Sequence, residues 1–255
     1  MKTLLIVALL TCFAAAQNSE ETESVDTENL PKRHNRLTFE FGFGNMKDDT
    51  KSDAQQWAKD YNEKLCNGKT LSASWMSYWP SSPFGMGLLV SKYWASASQN
   101  NLSITLQPSG QTITGTMSDD ISIIFLGIPL GLRSSSKESS IEISGDVRIG
   151  GLFYFDDFAF ANVTTQLSSP TLGLGGSLSA ELKVNKNFGI FAGVTGTYAS
   201  VSSLYVKDGD KEELDEPLSL NRLDINLGIR IHFETDANSS NNNYERPYTP
   251  PPSFR

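Results

Sequence analysis

"RLDINLGIRIHF", residues 222–233, alternates without a break. Leu223, Ile225, Leu227, Ile229, Ile231 and Phe233 are apolar, and Arg222, Asp224, Asn226, Gly228, Arg230 and His232 fall between them. A strand sends successive side chains to opposite faces. This one therefore has a greasy face and an ionic face. In a soluble sheet the greasy face points inward; in a membrane-spanning barrel it meets lipid and the ionic face lines the interior. The alternation alone leaves both arrangements open.

The same period recurs upstream. "RLTFEFGFG" puts Leu37, Phe39, Phe41 and Phe43 on one face, and "FGMGLLV" does so with Phe84, Met86, Leu88 and Val90. "LSITLQ" follows with Leu102, Ile104 and Leu106, and "IIFLGIPLGLR" with Leu126, Ile128, Leu130 and Leu132. "IEISGDVRIG", "TLGLGGSLSAELKV" and "FGIFAGVTGTY" complete the set. With the opening stretch these are eight segments, each close to the length of a tilted strand that crosses a bilayer. The reading is all-β: an eight-stranded antiparallel up-and-down transmembrane β-barrel. "QNN", "SSSKESS" and "NKN" read as short turns, and 46–83, 156–169 and 206–218 as long outer loops. With odd strands running outward, Tyr93, Trp94, Phe188 and Phe233 fall at the periplasmic end. Phe84, Tyr198, Tyr205 and the cluster Phe153 to Phe160 fall near the outer end, giving two aromatic belts. "QPSGQ" breaks the third strand, because Pro donates nothing to a ladder. Its extent between Gln107 and Thr116 stays open.

Charge supports the membrane arrangement. The non-apolar faces carry Glu40, Glu142, Asp146, Glu181 and Asp224 against Arg133, Arg148, Lys183, Arg222 and Arg230, five of each sign. An eight-stranded barrel is just wide enough for side chains to fill. A paired interior is what such a lumen tolerates, since unpaired buried charge is costly. For the whole 255-residue chain the net charge is −8. That excludes a nucleic-acid surface, which needs a basic field.

"MKTLLIVALLTCFAAAQ" has the basic start, short apolar run and A-x-A end of a secretory signal, expected to be cleaved after Ala16. The alternative is a lipoprotein signal on Cys12. Residues 17–36 read as a flexible periplasmic linker, acidic then basic. The barrel is expected over 37–233 and a disordered tail over 234–255. Once Cys12 leaves, Cys66 is the single cysteine and no internal disulfide forms.

In the first outer loop, "SDAQQWAKDYNEKL" spaces Ala54, Trp57, Ala58, Tyr61 and Leu65 along one helical face, with Ser52 as the expected N-cap. This predicts a short helix over the barrel mouth or against the outer leaflet. Trp57, Trp75, Tyr78 and Trp79 form a candidate partner-binding surface. "CNGKT" lacks the first Gly of a phosphate loop, and "KDGDKEELDE" lacks the Gly spacing of a calcium loop. No catalytic, cofactor or metal site is predicted.

At "IIFLGIPLGLR", "GGSLSAELKVNKNFGIFAGV" and "LDINLGIRIHF" the chain resembles the small outer-membrane β-barrel domain family of Gram-negative bacteria. The shared features are Ile128-Pro129-Leu130 in a middle strand, a Gly-rich hairpin turning at Asn185–Asn187, and a last strand ending in Phe233. The resemblance implies an outer-membrane location, lipid contact on the apolar face, and handling by the barrel-assembly machinery. It implies a monomer with a structural or adhesive role, or a place in an envelope complex with an extracellular or envelope protein. One departure stands out: "ETDANSSNNNYERPYTPPPSFR" follows Phe233, where the terminal aromatic is usually last. Phe254 is the alternative, but "YTPPPSF" cannot pair as a strand. Barrels that modify lipid A rely on His and Ser. Here only His34 and His232 are present, so a non-enzymatic barrel is expected. The other readings are a soluble lipocalin-like barrel holding a small apolar ligand, and a lipid-modifying enzyme.

Overall fold

The computed structural model describes residues 32–47, 54–105, 110–134, 139–207, 209 and 211–236. The expected signal peptide, residues 17–31 of the expected linker, the Ser52 cap and the tail beyond 236 lie outside the described residues. Ten strands form: β1 (Lys32–Met46), β2 (Asn67–Tyr78), β3 (Phe84–Thr105), β4 (Thr112–Arg133), β5 (Ile141–Phe160), β6 (Val163–Asn185), β7 (Phe188–Tyr198), β8 (Ser200–Val206), β9 (Lys211–Ser219) and β10 (Arg222–Asp236). One helix among the described residues, α1 (Gln56–Cys66), precedes β2.

Eight of these strands close a ring. β1 pairs with β2 and with β10, β10 pairs with β7, and β5 pairs with β6, all antiparallel. Closure gives every ladder a neighbour, which is the condition for strands to cross a bilayer where no water can satisfy a bare edge. The start of β1 and the end of β10 lie at one end of the ring, the terminal end, with the turns after β2, β4 and β6. The opposite end carries α1, the β3–β4 and β5–β6 tips, and the β8–β9 hairpin.

The side-chain alternation answers the question posed by residues 222–233. Arg222, Asp224, Asn226, Arg230 and His232 are buried inside the ring. Leu223, Ile225, Leu227, Ile229 and Ile231 project outward and are exposed, Ile225 and Leu227 at 65%. Every ring strand follows suit, from Phe39, Phe41 and Phe43 on β1 to Ile190 and Val194 on β7. Leu223 to Phe233 covers about 34 Å of strand, or about 25 Å along the barrel axis at the usual tilt, the height of a bilayer's apolar band. A surface this apolar and continuous is stable only against lipid. The lipocalin-like alternative needs the opposite orientation, with charges outward, and the structure excludes it.

Several sequence expectations are corrected. Residues 67–78, assigned to the first outer loop, are strand β2. Residues 102–105 of "LSITLQ" are not a separate strand; they are the far end of β3, and "QNN" is an irregularity within it, where pairing shifts between Gln99 and Leu102 and Asn101 takes φ +58; Leu106 and Gln107 lie outside the described residues. The count of eight therefore holds with different members. The change reverses the expected direction of β3, so Phe84 lies at the terminal end and Tyr93 and Trp94 lie toward the α1 end. The segment 156–169 is not a loop, because β5 and β6 stay paired from Phe160–Val163 downward. Residues 206–218 largely form the β8–β9 hairpin. β1 starts at Lys32, so residues 32–36 belong to the barrel wall and not to a linker, and β10 continues past Phe233 to Asp236. The cap of α1 is Gln55, which makes no side-chain cap bond.

Candidate functional site

The barrel interior is built in storeys. At the terminal end, β1, β4, β5, β6 and β10 turn charged residues onto one another. Lys183 Nζ lies 3.0 Å from Glu142 Oε2 and Arg36 Nη1 lies 3.6 Å from Glu142 Oε1. Arg230 Nη1 lies 3.3 Å from Glu181 Oε2 and donates to Ser144 Oγ at 3.1 Å, while Nη2 donates to Ser179 Oγ at 2.6 Å. His232 Nε2 meets the other Glu181 oxygen at 2.6 Å, and its Nδ1 meets His34 Nε2 at 2.9 Å. Arg133 has no carboxylate partner among the described residues and stacks on the fully buried Tyr78 ring, 4.4 Å from its centroid. Arg230 lies 4.1 Å over Phe191.

One storey up, Arg148 Nε bonds Asp146 Oδ1 at 2.5 Å and Ser177 donates to Asp146 Oδ2 at 2.5 Å. Arg222 Nε bonds Asp224 Oδ1 at 2.7 Å, and Asn226 links Thr70 to Thr195. Glu40 is buried beside this group. The space left among these side chains is about 20 Å³, room for about one water.

All ten residues expected in the lumen thus lie on the inner face. Nine make the paired interior or stand beside it, and Arg133 is held by an aromatic ring instead. The expected five-to-five balance missed Arg36, which adds a sixth base, and His34, the partner of the lumen-facing His232. Both followed from assigning 32–36 to a linker. The signal was present: His34, Arg36, Thr38 and Glu40 share one phase of alternation.

The storey nearest α1 is apolar. Tyr93, Ile123, Leu152, Val201 and Leu220 are almost wholly buried there, and Tyr61, Leu65 and Cys66 of α1 close over them. Tyr93 Oη donates to the Leu65 carbonyl at 2.8 Å. No side chain larger than hydrogen fits at Gly68, where a Cβ would run into the Tyr93 ring. Tyr61 Oη donates to Asp119 Oδ2 at 2.7 Å, and Tyr154 Oη donates to Asp156 Oδ2 at 3.1 Å. Burial raises both carboxyls, Asp156 to about 6, with the charge of Asp119 adding to it.

The expected partner-binding surface does not assemble. Trp57 is on α1, Trp75 faces outward in the apolar belt, Tyr78 is buried in the lumen, and Trp79 sits at the terminal-end turn. The cause is the strand β2, which carries Trp75 to Trp79 to the far end from Trp57. What the α1 end does expose has an acidic excess: Asp120 and Asp157, direct partners across β4 and β5, and Glu212, Glu213, Asp215 and Glu216 on β9, against Lys64, Lys207 and Lys211, the last 3.7 Å from Glu213.

No protein-family model matches the chain, and no curated protein matches it. Solved structures do. A major outer membrane protein from Thermus thermophilus is 14% identical with a TM-score of 0.49, over 78% of this chain and 99% of that one. The outer membrane protein OprG from Pseudomonas aeruginosa is 13% identical with a TM-score of 0.49, over 80% and 96%. Neisserial surface protein A is 10% identical with a TM-score of 0.42, over 80% and 97%. The likeness is one of fold, that of small outer-membrane β-barrels.

Proposed function

We propose that this is a non-conducting, non-enzymatic outer-membrane barrel that acts through its α1 end as an adhesive or envelope-complex surface. The observation that carries the reading is the filled interior: ion-paired in two storeys, apolar in the third, and capped by α1. Such a lumen has no path for ions. The wall also outruns the bilayer. β3 and β4 have 22 residues each, about 70 Å of strand, against the roughly ten needed to cross. The excess stands above the belt at the α1 end with the β8–β9 hairpin. Its exposed carboxylates favour a basic partner.

The test has two arms. Purified protein in a planar bilayer is expected to give no step conductance, and discrete open levels would overturn the non-conducting reading. Replacing residues 207–216 by a short Gly-Ser turn is expected to leave barrel assembly intact and to abolish binding of cells to a polycationic surface. Unchanged binding would remove the hairpin from the role.

A further inference from the structure

The outer wall of β1–β5 changes character over four successive rows of outward side chains. The middle of the belt has Phe39, Ala73, Val90 and Leu126 level with one another, and the next row up has Phe41, Leu71, Lys92, Ile124 and Phe153. Above it come Phe43, Lys69, Trp94, Ser122 and Phe155, then Asn45, Asn67, Ser96, Asp120 and Asp157. Lys69 is thus the direct cross-strand partner of Trp94, and Lys92 lies one outward position below it on β3. Both lysines are exposed. No ion pair among the described residues takes either ammonium.

Directly below lies an open apolar groove of about 660 Å³ on the same wall. Its sides include Phe39, Trp75, Val90 and Leu126, and small residues deepen it at Ala73 and Gly150. The volume falls within the range of about 300–1,000 Å³ typical of ligand clefts. Lys92 is the next outward residue above Val90, about 7 Å along the strand.

We propose that this rim binds a membrane lipid with an anionic phosphate headgroup, the phosphate held by Lys69 and Lys92 and one acyl chain lying in the groove below. The argument is charge complementarity at a fixed height. Lysine stems lie along apolar surface while their heads reach the interface, and basic residues at that level attract anionic headgroups. Trp94 belongs at the same level, where an indole bridges the apolar and polar zones. The acidic row above, Asp120 and Asp157, lies over β4 and β5 and repels phosphate from that side, leaving the β2–β3 edge. The proposal rests on the membrane-spanning reading of the barrel.

The experiment uses the full chain reconstituted in vesicles of phosphatidylcholine with a fraction of phosphatidic acid, one or the other carrying brominated acyl chains. Bromine quenches tryptophan on contact; Trp75 lines the groove and Trp94 stands above it, paired across the ladder with Lys69. The expected result is a preference for brominated phosphatidic acid of about five-fold or more, since one lysine at the interface is worth about that factor. The K69A/K92A double variant should lower the preference to near unity while keeping its heat-modifiable mobility on SDS gels. Equal quenching by the two lipids in the parent protein, or a preference that survives in the double variant, overturns the site. Failure of the parent protein to insert at all would instead overturn the membrane reading on which the site depends.

Discussion

Arg230 on β10 and Glu181 on β6 meet inside the barrel across β7, with 3.3 Å between Nη1 and Oε2 and both side chains almost wholly enclosed. The pair ties together strands that do not share a ladder. Ser144 and Ser179 take further bonds from the Arg230 Nη atoms and His232 meets the other Glu181 oxygen, while Arg230 Nε has no hydrogen-bond partner among the described residues. Removing Arg230 leaves the enclosed Glu181 with the His232 hydrogen bond but without its guanidinium countercharge. Arg230→Leu should destabilise the barrel by about 3–5 kcal/mol, read from guanidinium unfolding in detergent micelles. Adding Glu181→Leu should recover most of that loss, because the cost lies in the orphaned carboxylate. A double variant as unstable as the sum of the singles would show that the two side chains act independently and that no orphaned carboxylate carries the cost.

The same logic ranks Arg36 lower. Glu142 keeps Lys183 at 3.0 Å when Arg36 is removed, and the Arg36 contact is longer at 3.6 Å. Arg36→Met should therefore cost less than Arg230→Leu, about 1–2 kcal/mol. A loss equal to that of Arg230→Leu would mean that Lys183 does not compensate.

These residues also mark where the sequence was legible. Strict alternation identified β10, β7, the lower parts of β4, β5 and β6, and ten of the interior charges though not Arg36, because lipid on one side and a filled lumen on the other impose opposite chemistries at adjacent positions. It failed where that contrast weakens. On β2 the outward row runs Leu71, Ala73, Trp75 and Ser77, with Ser72 and Ser74 inside, so neither face is decisively apolar. Above the belt, β3 and β4 face water outside and an apolar plug inside, and the phase of their pattern inverts in meaning. Tyr93, Ala95 and Ala97 point in, while Lys92 and Ser96 point out. A plug made of residues from α1, β3, β4, β5 and the β8 region is a tertiary feature that no single segment announces.

Leu65 holds the lid by its backbone and by its side chain, beside the Tyr61–Asp119 hydrogen bond. Tyr93 Oη holds the Leu65 carbonyl, and the Leu65 side chain is 8% exposed within the plug. Tyr93→Phe should weaken α1 docking by about 1 kcal/mol, and Leu65→Ala by about 2–3 kcal/mol. The readout is trypsin cleavage after the exposed Lys64. Cleavage should be slow in the parent, faster in Tyr93→Phe and fastest in Leu65→Ala, with the barrel fragment still heat-modifiable. Equal cleavage rates in all three would mean that α1 is not held by these contacts.

Asp156 and Asp119 make the α1 end respond to pH. They face the plug beside Tyr61 of α1 and Tyr154 of β5, with Asp120 and Asp157 on the outer surface of the same strands. Burial, then the Asp119 charge, raises Asp156 to about 6 from its ordinary 3.8. A carboxyl whose pKa is higher folded than unfolded binds more protons in the folded state. Its ionisation therefore opposes folding above about pH 6, and that opposition is relieved as pH falls from there toward the ordinary aspartate value. Amide exchange at the outer ends of β4 and β5, corrected for the intrinsic rate, should be slower at about pH 5 than at about pH 7.5. Asp156→Asn should be protected at both pH values, with the residual response reduced to that of Asp119. An exchange rate that rises toward acid in the parent would reverse the sign and place the ionised form of Asp156 in the stabilising role.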